Sequence, residues 1–241
     1  MSLPIALFTD FTLQGPYVGQ MSAVLGALAP QSPLIQLMHD APRMRPDLAA
    51  YLLPRVCSTL SDNTVVVAVV DPGVGSARRA IIVETDRATF VGPDNGLLSR
   101  LDGIRRIQQI DWVPPSLSAS FHGRDLFAPV AARIAQSEPL STTPLQFADL
   151  VGSDWPAASG KVIYIDGFGN LMTGVDLKKA SEINRVMCGG SVLPKARTFS
   201  DRPSGQPFWY QNSLGLLEIA INNGCAAQHF GLALGDEVSV E

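Results

Sequence analysis

Cysteine and histidine are scarce in this chain, with three of each among 241 residues. Cys57, Cys188 and Cys225 stand far apart and form no CxxC, which excludes a disulfide framework and a zinc-binding pattern and points to a reduced, cytoplasmic setting. Charge is sparse as well. Lys, Arg, Asp and Glu make up 17% of the residues and sum to a formal −4, so the basic face of a nucleic-acid binder is missing. No apolar run is long. The first ends at Phe8, has no basic lead-in and is too short for a signal peptide or a membrane span, and none later exceeds it. Internal repeats and low-complexity segments are absent, and so is the GxxxxGK[ST] order of a phosphate-binding P-loop.

What is present reads as two textures. Over residues 1–150, strand-like and helix-like patterns alternate. Ile5–Thr9 and Leu34–Met38 read as short strands, and Thr64–Val70 (TVVVAVV) as a central strand, β-branched and apolar on both faces. Tyr17–Leu28 places Val18, Met21, Val24, Leu25 and Leu28 on one helical face. Pro46–Leu60 is helical in pattern, with a kink expected at Pro54. Such alternation predicts an α/β/α domain with a mostly parallel central sheet. Residues 151–160 are turn-rich and read as a linker. Residues 161–241 carry short strand candidates (161–165, 171–176, 191–195, 207–211, 216–221, 237–240) between Gly, Pro, Asn and Asp, the spacing of a small β-barrel or sandwich.

Four polar clusters adjoin these strands, and each also has a plain structural reading. Asp10, ending the first strand, suits a ribose diol, as carboxylates beyond strand ends do in α/β sheets, or it caps a turn. Asp71 and Arg78 bracket a loop with two glycines after the central strand, so they either fix a third group or staple a turn. His122 lies in FHGRD before a helical run over 126–135 and is the residue best suited to proton transfer near neutral pH, although a lone histidine is often structural. His39 is a weaker candidate of that type, and His229 reads as a surface or packing residue. Asp166, Phe168 and Asn170, with Ser213 and Asn223 further on, combine an aromatic with hydrogen-bonding groups, which suits a heterocycle that is stacked and read along its edge. They equally suit two tight turns.

Seven ordered blocks carry a resemblance: FTDF at the start, PYVG (16–19), VAVVDPGVG (67–75), VGPDNGLL (91–98), FHGRDLFAP (121–129), IDGFGN (165–170) and LEIAINNG (217–224). Together they resemble the S-adenosyl-L-methionine (SAM) hydroxide adenosyltransferases, relatives of the adenosyl fluorinase and chlorinase. The resemblance implies hydrolysis of SAM to adenosine and L-methionine without metal or cofactor. It also implies an N-terminal α/β domain, a C-terminal β-barrel, and a homotrimer whose active sites lie where one subunit's first domain meets its neighbour's second. The family's Asp-Arg-His triad falls on Asp71, Arg78 and His122, with Arg79 adjacent to the arginine position. Asp10 falls on the ribose position, Asp166 and Ser213 on the methionine amine, and Phe168, Asn170 and Asn223 on the adenine. Tyr17, Asn95 and Gly123, in matching blocks, complete the substrate-binding set. Leu214 stands where the fluorinase pattern has an arginine for the substrate carboxylate.

The implied chemistry is in-line displacement at the ribose 5′ carbon. The sulfonium leaves as a neutral thioether and needs no acid, so the task is to activate water. A histidine held by a carboxylate and ordered by an arginine is the expected base, with the arginine behind the water and away from sulfur. Two other readings stay open: a halide-using adenosyltransferase, for which Gly123 leaves room for an ion, and a nucleoside-binding module without catalysis.

Overall fold

The computed structural model describes residues 2–180 and 183–241. They form two compact units, divided between Trp155 and Pro156.

In the first unit the order is β1 (Ile5–Thr9), α1 (Tyr17–Leu28), β2 (Leu34–Met38), α2 (Pro46–Val56), β3 (Thr64–Val69), β4 (Ala80–Thr85), β5 (Ala88–Pro93), β6 (Ile104–Ile110), α3 (Ala128–Ala135) and β7 (Thr142–Leu145). The strands make one seven-stranded sheet in the order β2-β1-β3-β5-β4-β6-β7. It is parallel from β2 through β5 and antiparallel from β5 to β7.

Alternation explains why β1 and β3 sit at its centre. Ile5 and Leu7, with Val65, Val67 and Val69, face one apolar layer that includes Met21 and Leu25 of α1 and Val130 and Ala131 of α3. Ala6 and Phe8, with Val66, Ala68 and Val70, face a second that includes Ala49 and Leu53 of α2. A strand buried on both faces must be almost wholly apolar, and β3 is from Val65 onward, while the buried Thr64 hydroxyl donates to the Ser61 carbonyl. The helix expected over Pro46–Leu60 is shorter as an α-helix. It stops at Val56, two residues past Pro54, and tightens into a 3-10 turn over Cys57–Thr59. Proline lacks the N–H that would bond back to residue 50 and crowds that carbonyl, which weakens the helix's last turn.

The second unit holds β8 (Ser159–Ile165), β9 (Leu171–Asp176), β10 (Val186–Cys188), β11 (Ser191–Leu193), β12 (Pro207–Gln211), β13 (Leu216–Ile221), α4 (Ala226–Phe230) and β14 (Ser239–Val240). The strands form two antiparallel sheets, β12-β13-β9-β8 and β11-β10-β14. Isolated bridges Lys161–Glu237 and Lys195–Trp209 lie outside them. The stretch expected as linker is divided. Gly152 and Ser153 offer their carbonyls to the Arg100 guanidinium at 2.9 and 3.1 Å, while Ser159 and Gly160 open β8.

Candidate active site

The chain leaves β1 for β2 on one side and returns through α2 to β3 on the other, so the carboxyl ends of β1 and β3 open on a crevice at a reversal of strand order. That is where open α/β sheets bind ligands. Asp10 follows β1, and Asp71 lies just beyond β3. A cavity of about 400 Å³ opens here, lined among others by Asp71, Phe11, Tyr17, Phe121, His122 and Gly123.

Arg78 connects the triad. Its Nε lies 2.9 Å from both Asp71 carboxylate oxygens and its Nη2 lies 2.5 Å from Oδ2. The same Nη2 lies 3.0 Å from Nδ1 of His122. The Arg78 and Asp71 side chains are 9% and 4% exposed, so this is a buried, paired charge. The guanidinium also stacks 5.1 Å from the centre of the Phe127 ring. Arg79 is engaged elsewhere, donating from Nε to Asp94 at 2.8 Å. The two arginines thus take separate carboxylates, and Arg78 is the one that reaches the histidine.

Two local features set this geometry. Gly75 has φ +80° and packs so tightly on the Ala119 carbonyl that an added Cβ would lie 2.4 Å from its oxygen, so the loop from Asp71 to Arg78 closes only with glycine there. His122 begins a π-helical turn over Gly123–Phe127, closed by the N–H of Ala128 on the carbonyl of Gly123, five residues back. Wide turns of this kind recur at functional sites.

The contacts of His122 differ from those expected. No hydrogen bond joins its ring to Asp71 among the described residues; the arginine stands between them. An arginine can only donate, so Nδ1 must accept, and the neutral ring carries its proton on Nε2. Burial holds the His122 pKa below the ordinary 6.5, and the Arg78 charge pushes the same way. Burial likewise raises the Asp10 carboxyl above its usual range, opposed by the Met44 N–H, which donates to Oδ2 at 2.9 Å.

The other expected residues are distributed as follows. Tyr17 is half exposed and meets the Phe121 ring edge-on at 5.2 Å, with Phe11 5.9 Å from both rings. Asn95 is occupied with backbone: its Nδ2 donates to the Val70 carbonyl at 2.9 Å and its Oδ1 accepts from Leu97, which fixes the residue before Asp71. A Cβ on Gly123 would lie 3.2 Å from Met21 Sδ and 3.3 Å from the Phe121 ring. In the second unit, the Asp166 carboxylate accepts from the N–H groups of Phe168 and Asn170, both at 2.9 Å, and from Asn170 Nδ2. Phe168 is left 80% exposed at the tip. Ser213 is exposed on the turn from Asn212 to Leu216. Asn223 is exposed, with φ +54° and its amide 3.4 Å from Ser204.

His39 is a satisfied interior histidine, 2.8 Å from Thr9 Oγ1 and 2.7 Å from Gln36 Oε1. His229 packs edge-on against Phe230. Residues not singled out from sequence also line the cavity: Phe11, Phe121, Gln20 and Arg124, whose guanidinium lies over Phe121 and donates to Gln20 at 2.7 Å. Phe11 and Phe121 each adjoin a residue that was chosen, which was the available signal. Among the described residues, no group of three or more His, Cys, Asp or Glu is placed to hold a metal ion. No described helix is long and apolar enough to cross a membrane.

Comparison with known proteins agrees in both units. Residues 5–143 match the SAM hydroxide adenosyltransferase N-terminal domain and residues 160–239 its C-terminal domain. An (R)-S-adenosyl-L-methionine hydrolase of Thermus thermophilus is 38% identical over 96% of this chain and 97% of its own length. One from Salinispora arenicola is 36% identical over 98% and 97%. Among solved structures, an uncharacterized conserved protein from Thermotoga maritima superposes with a TM-score of 0.86 at 31% identity, covering 98% of this chain and 100% of that one.

Proposed function

The chain belongs to the SAM hydroxide adenosyltransferase family, and on that premise we propose how its own residues carry out the hydrolysis. The enzyme hydrolyses SAM to adenosine and L-methionine. A water oxygen bonds to the 5′ carbon, the C5′–S bond breaks with its electron pair going to sulfur, and one proton leaves the water. The observation that carries the reading is the Asp71–Arg78–His122 chain at the edge of the cavity.

The hydrogen-bond geometry supports one reading of where the proton goes. With Nδ1 accepting from Arg78, His122 offers only Nε2–H, so it positions the water by donating to its oxygen. Asp71 is the one carboxylate among the residues lining the cavity and takes the proton. As the C–O bond forms, the attacking water becomes far more acidic than any carboxylic acid, so transfer is downhill late in the step. Fixing water against carbon supplies the remaining advantage, up to about 7–11 kcal/mol in the best intramolecular cases. The Arg78 charge is neutralised by Asp71, which removes its conflict with the substrate sulfonium. Asp10 takes the ribose diol and Tyr17 borders it; Asp166 and Ser213 take the amino-acid end, with Phe168, Asn170 and Asn223 at the adenine. A Cβ at residue 123 would crowd Met21 and Phe121, so packing alone accounts for Gly123 without a halide.

The names of the relatives specify the (R) sulfonium, and the same epimer is proposed as the substrate. The test is incubation with each resolved sulfonium epimer in ¹⁸O-water, followed by mass spectrometry. Adenosine with one heavy oxygen at C5′ is expected, faster from the (R) epimer. Unlabelled adenosine, or a 5′-chloro nucleoside in chloride, would overturn the mechanism.

The proposed assembly is a trimer in which the first unit of one chain meets the second unit of a neighbour, each second unit being a barrel built from the two antiparallel sheets. Supporting it are Phe168, 80% exposed, and Tyr17, half exposed, two residues read as substrate-binding that lie in different units of the chain. Mixing Asp71→Asn chains with Asp166→Asn chains, which bind SAM weakly, is then expected to raise activity above that of either parent. Random assembly would return about a quarter of the sites. Mixed chains no more active than their parents would show that each chain makes its own site.

A further inference from the structure

The four-stranded sheet of the second unit has one apolar face and one on which polar groups sit among the buried Phe208, Leu216 and Ala220, and the register sorts them. Trp209, Leu217 and Ile219 belong to the apolar core. On the other face, Glu218 pairs with Tyr210 on one side and Met172 on the other, and Met172 pairs with Tyr164. Asp166, two residues past Tyr164, and Asn170, two before Met172, share this polar face.

Glu218 is 2% exposed, an unusual position for an anion. Both of its oxygens accept. The Tyr210 hydroxyl donates to Oε1, and Asn212 Nδ2 donates to Oε2 at 2.8 Å. Asn212 in turn uses its Oδ1 to accept from the N–H groups of Leu214 and Leu216, both at 3.0 Å. Glu218 therefore fixes the orientation of the Asn212 amide, and that amide fixes the turn bearing Ser213. Burial raises the Glu218 pKa, and the Asp166 charge adds to the rise. A second observation points to a ligand here. Asn170, 2% exposed and bonded through Nδ2 to Asp166, leaves its buried Oδ1 with no partner among the described residues. Two carboxylates suit a cationic group, and the orphaned acceptor beside them suits an N–H donor on the adenine edge of the same ligand.

We infer that Glu218 determines the preference for a substrate bearing an α-ammonium group, by adding a second negative charge beside Asp166 and by holding the Asn212 turn. This rests on the reading that Asp166 and Ser213 meet the amino-acid end of SAM. Glu218 touches no substrate atom in this role; it is a positioning residue.

Glu218→Gln separates charge from shape. Glutamine can still accept from Asn212 and can donate to the Tyr210 oxygen, so the turn survives while the charge goes. The experiment compares kcat/KM for SAM and for 5′-deoxy-5′-dimethylsulfonioadenosine, which keeps the sulfonium and nucleoside but has no amino acid. In Glu218→Gln, kcat/KM for SAM should fall at least about tenfold through KM, with the dimethyl compound nearly unaffected. Equal losses for both compounds would make Glu218 purely structural and overturn the inference. Asp166→Asn runs alongside. If it lowers the SAM preference and Glu218→Gln does not, the inference alone fails; if neither does, the placement of the ammonium fails with it.

Discussion

His122→Gln is expected to keep turnover within about tenfold of the parent, while His122→Ala loses about 10²–10³ in kcat, the usual cost of deleting one preorganised donor. Glutamine places an N–H near the position of the imidazole Nε2 but has no basic nitrogen, so it distinguishes a positioning donor from a base. A Gln variant as slow as the Ala variant would restore histidine to the role of base. The pH profile gives an independent check. Because the pKa of His122 lies below 6.5, the ring stays neutral through pH 7. As pH falls through that lowered value, a proton arrives on Nδ1, where Arg78 already donates, and the contact breaks. The parent's kcat should therefore drop on the acid side, at a pH below 6.5, and the drop should vanish in His122→Gln.

Asp71→Asn is expected to remove about 10²–10⁴ of kcat, the range for loss of a positioned proton acceptor. It also leaves the buried Arg78 charge unpaired, which costs about 3–5 kcal/mol when one member of a buried pair is removed. The two effects separate in the double variant Asp71→Asn with Arg78→Gln. Denaturant titration should show most of the stability returning, and assay should show that activity does not. Recovery of activity along with stability would mean that Asp71 only holds the arginine.

Much of the scaffold was legible because short-range rules suffice for it. Ile5–Thr9, Tyr17–Leu28 and Leu34–Met38 have the bounds read from sequence, since apolar periodicity sets each of them. Of the strands not read from sequence, β4 carries an apolar run over Ala80–Val83 that could have marked it, whereas β6 does not. β6 includes Arg105, Arg106, Gln108 and Gln109, and its pairing comes from partners on either side rather than from its own pattern. β10 spans three residues, too few for a period to register. In the site, sequence narrowed the arginine to two adjacent positions. The choice depends on Asp94, which draws Arg79 away, and that pairing is a tertiary fact. The tautomer of His122 was likewise beyond sequence, because it follows from which atom of Arg78 the ring meets. Glu218 sits in a strand that was read correctly, yet one charged residue inside an apolar run does not disclose what it faces.

The wide turn over Gly123–Phe127 makes the enzyme's competence a matter of phase. Each α-helical residue advances the chain by about 100°. Removing the surplus residue would let α3 keep its packing on β1 and β3 while everything before it rotated by that angle, carrying the His122 ring away from Arg78. A chain shortened by one residue there would keep its scaffold and lose its chemistry, so the alignment of this site is written in a count of residues as much as in their identities.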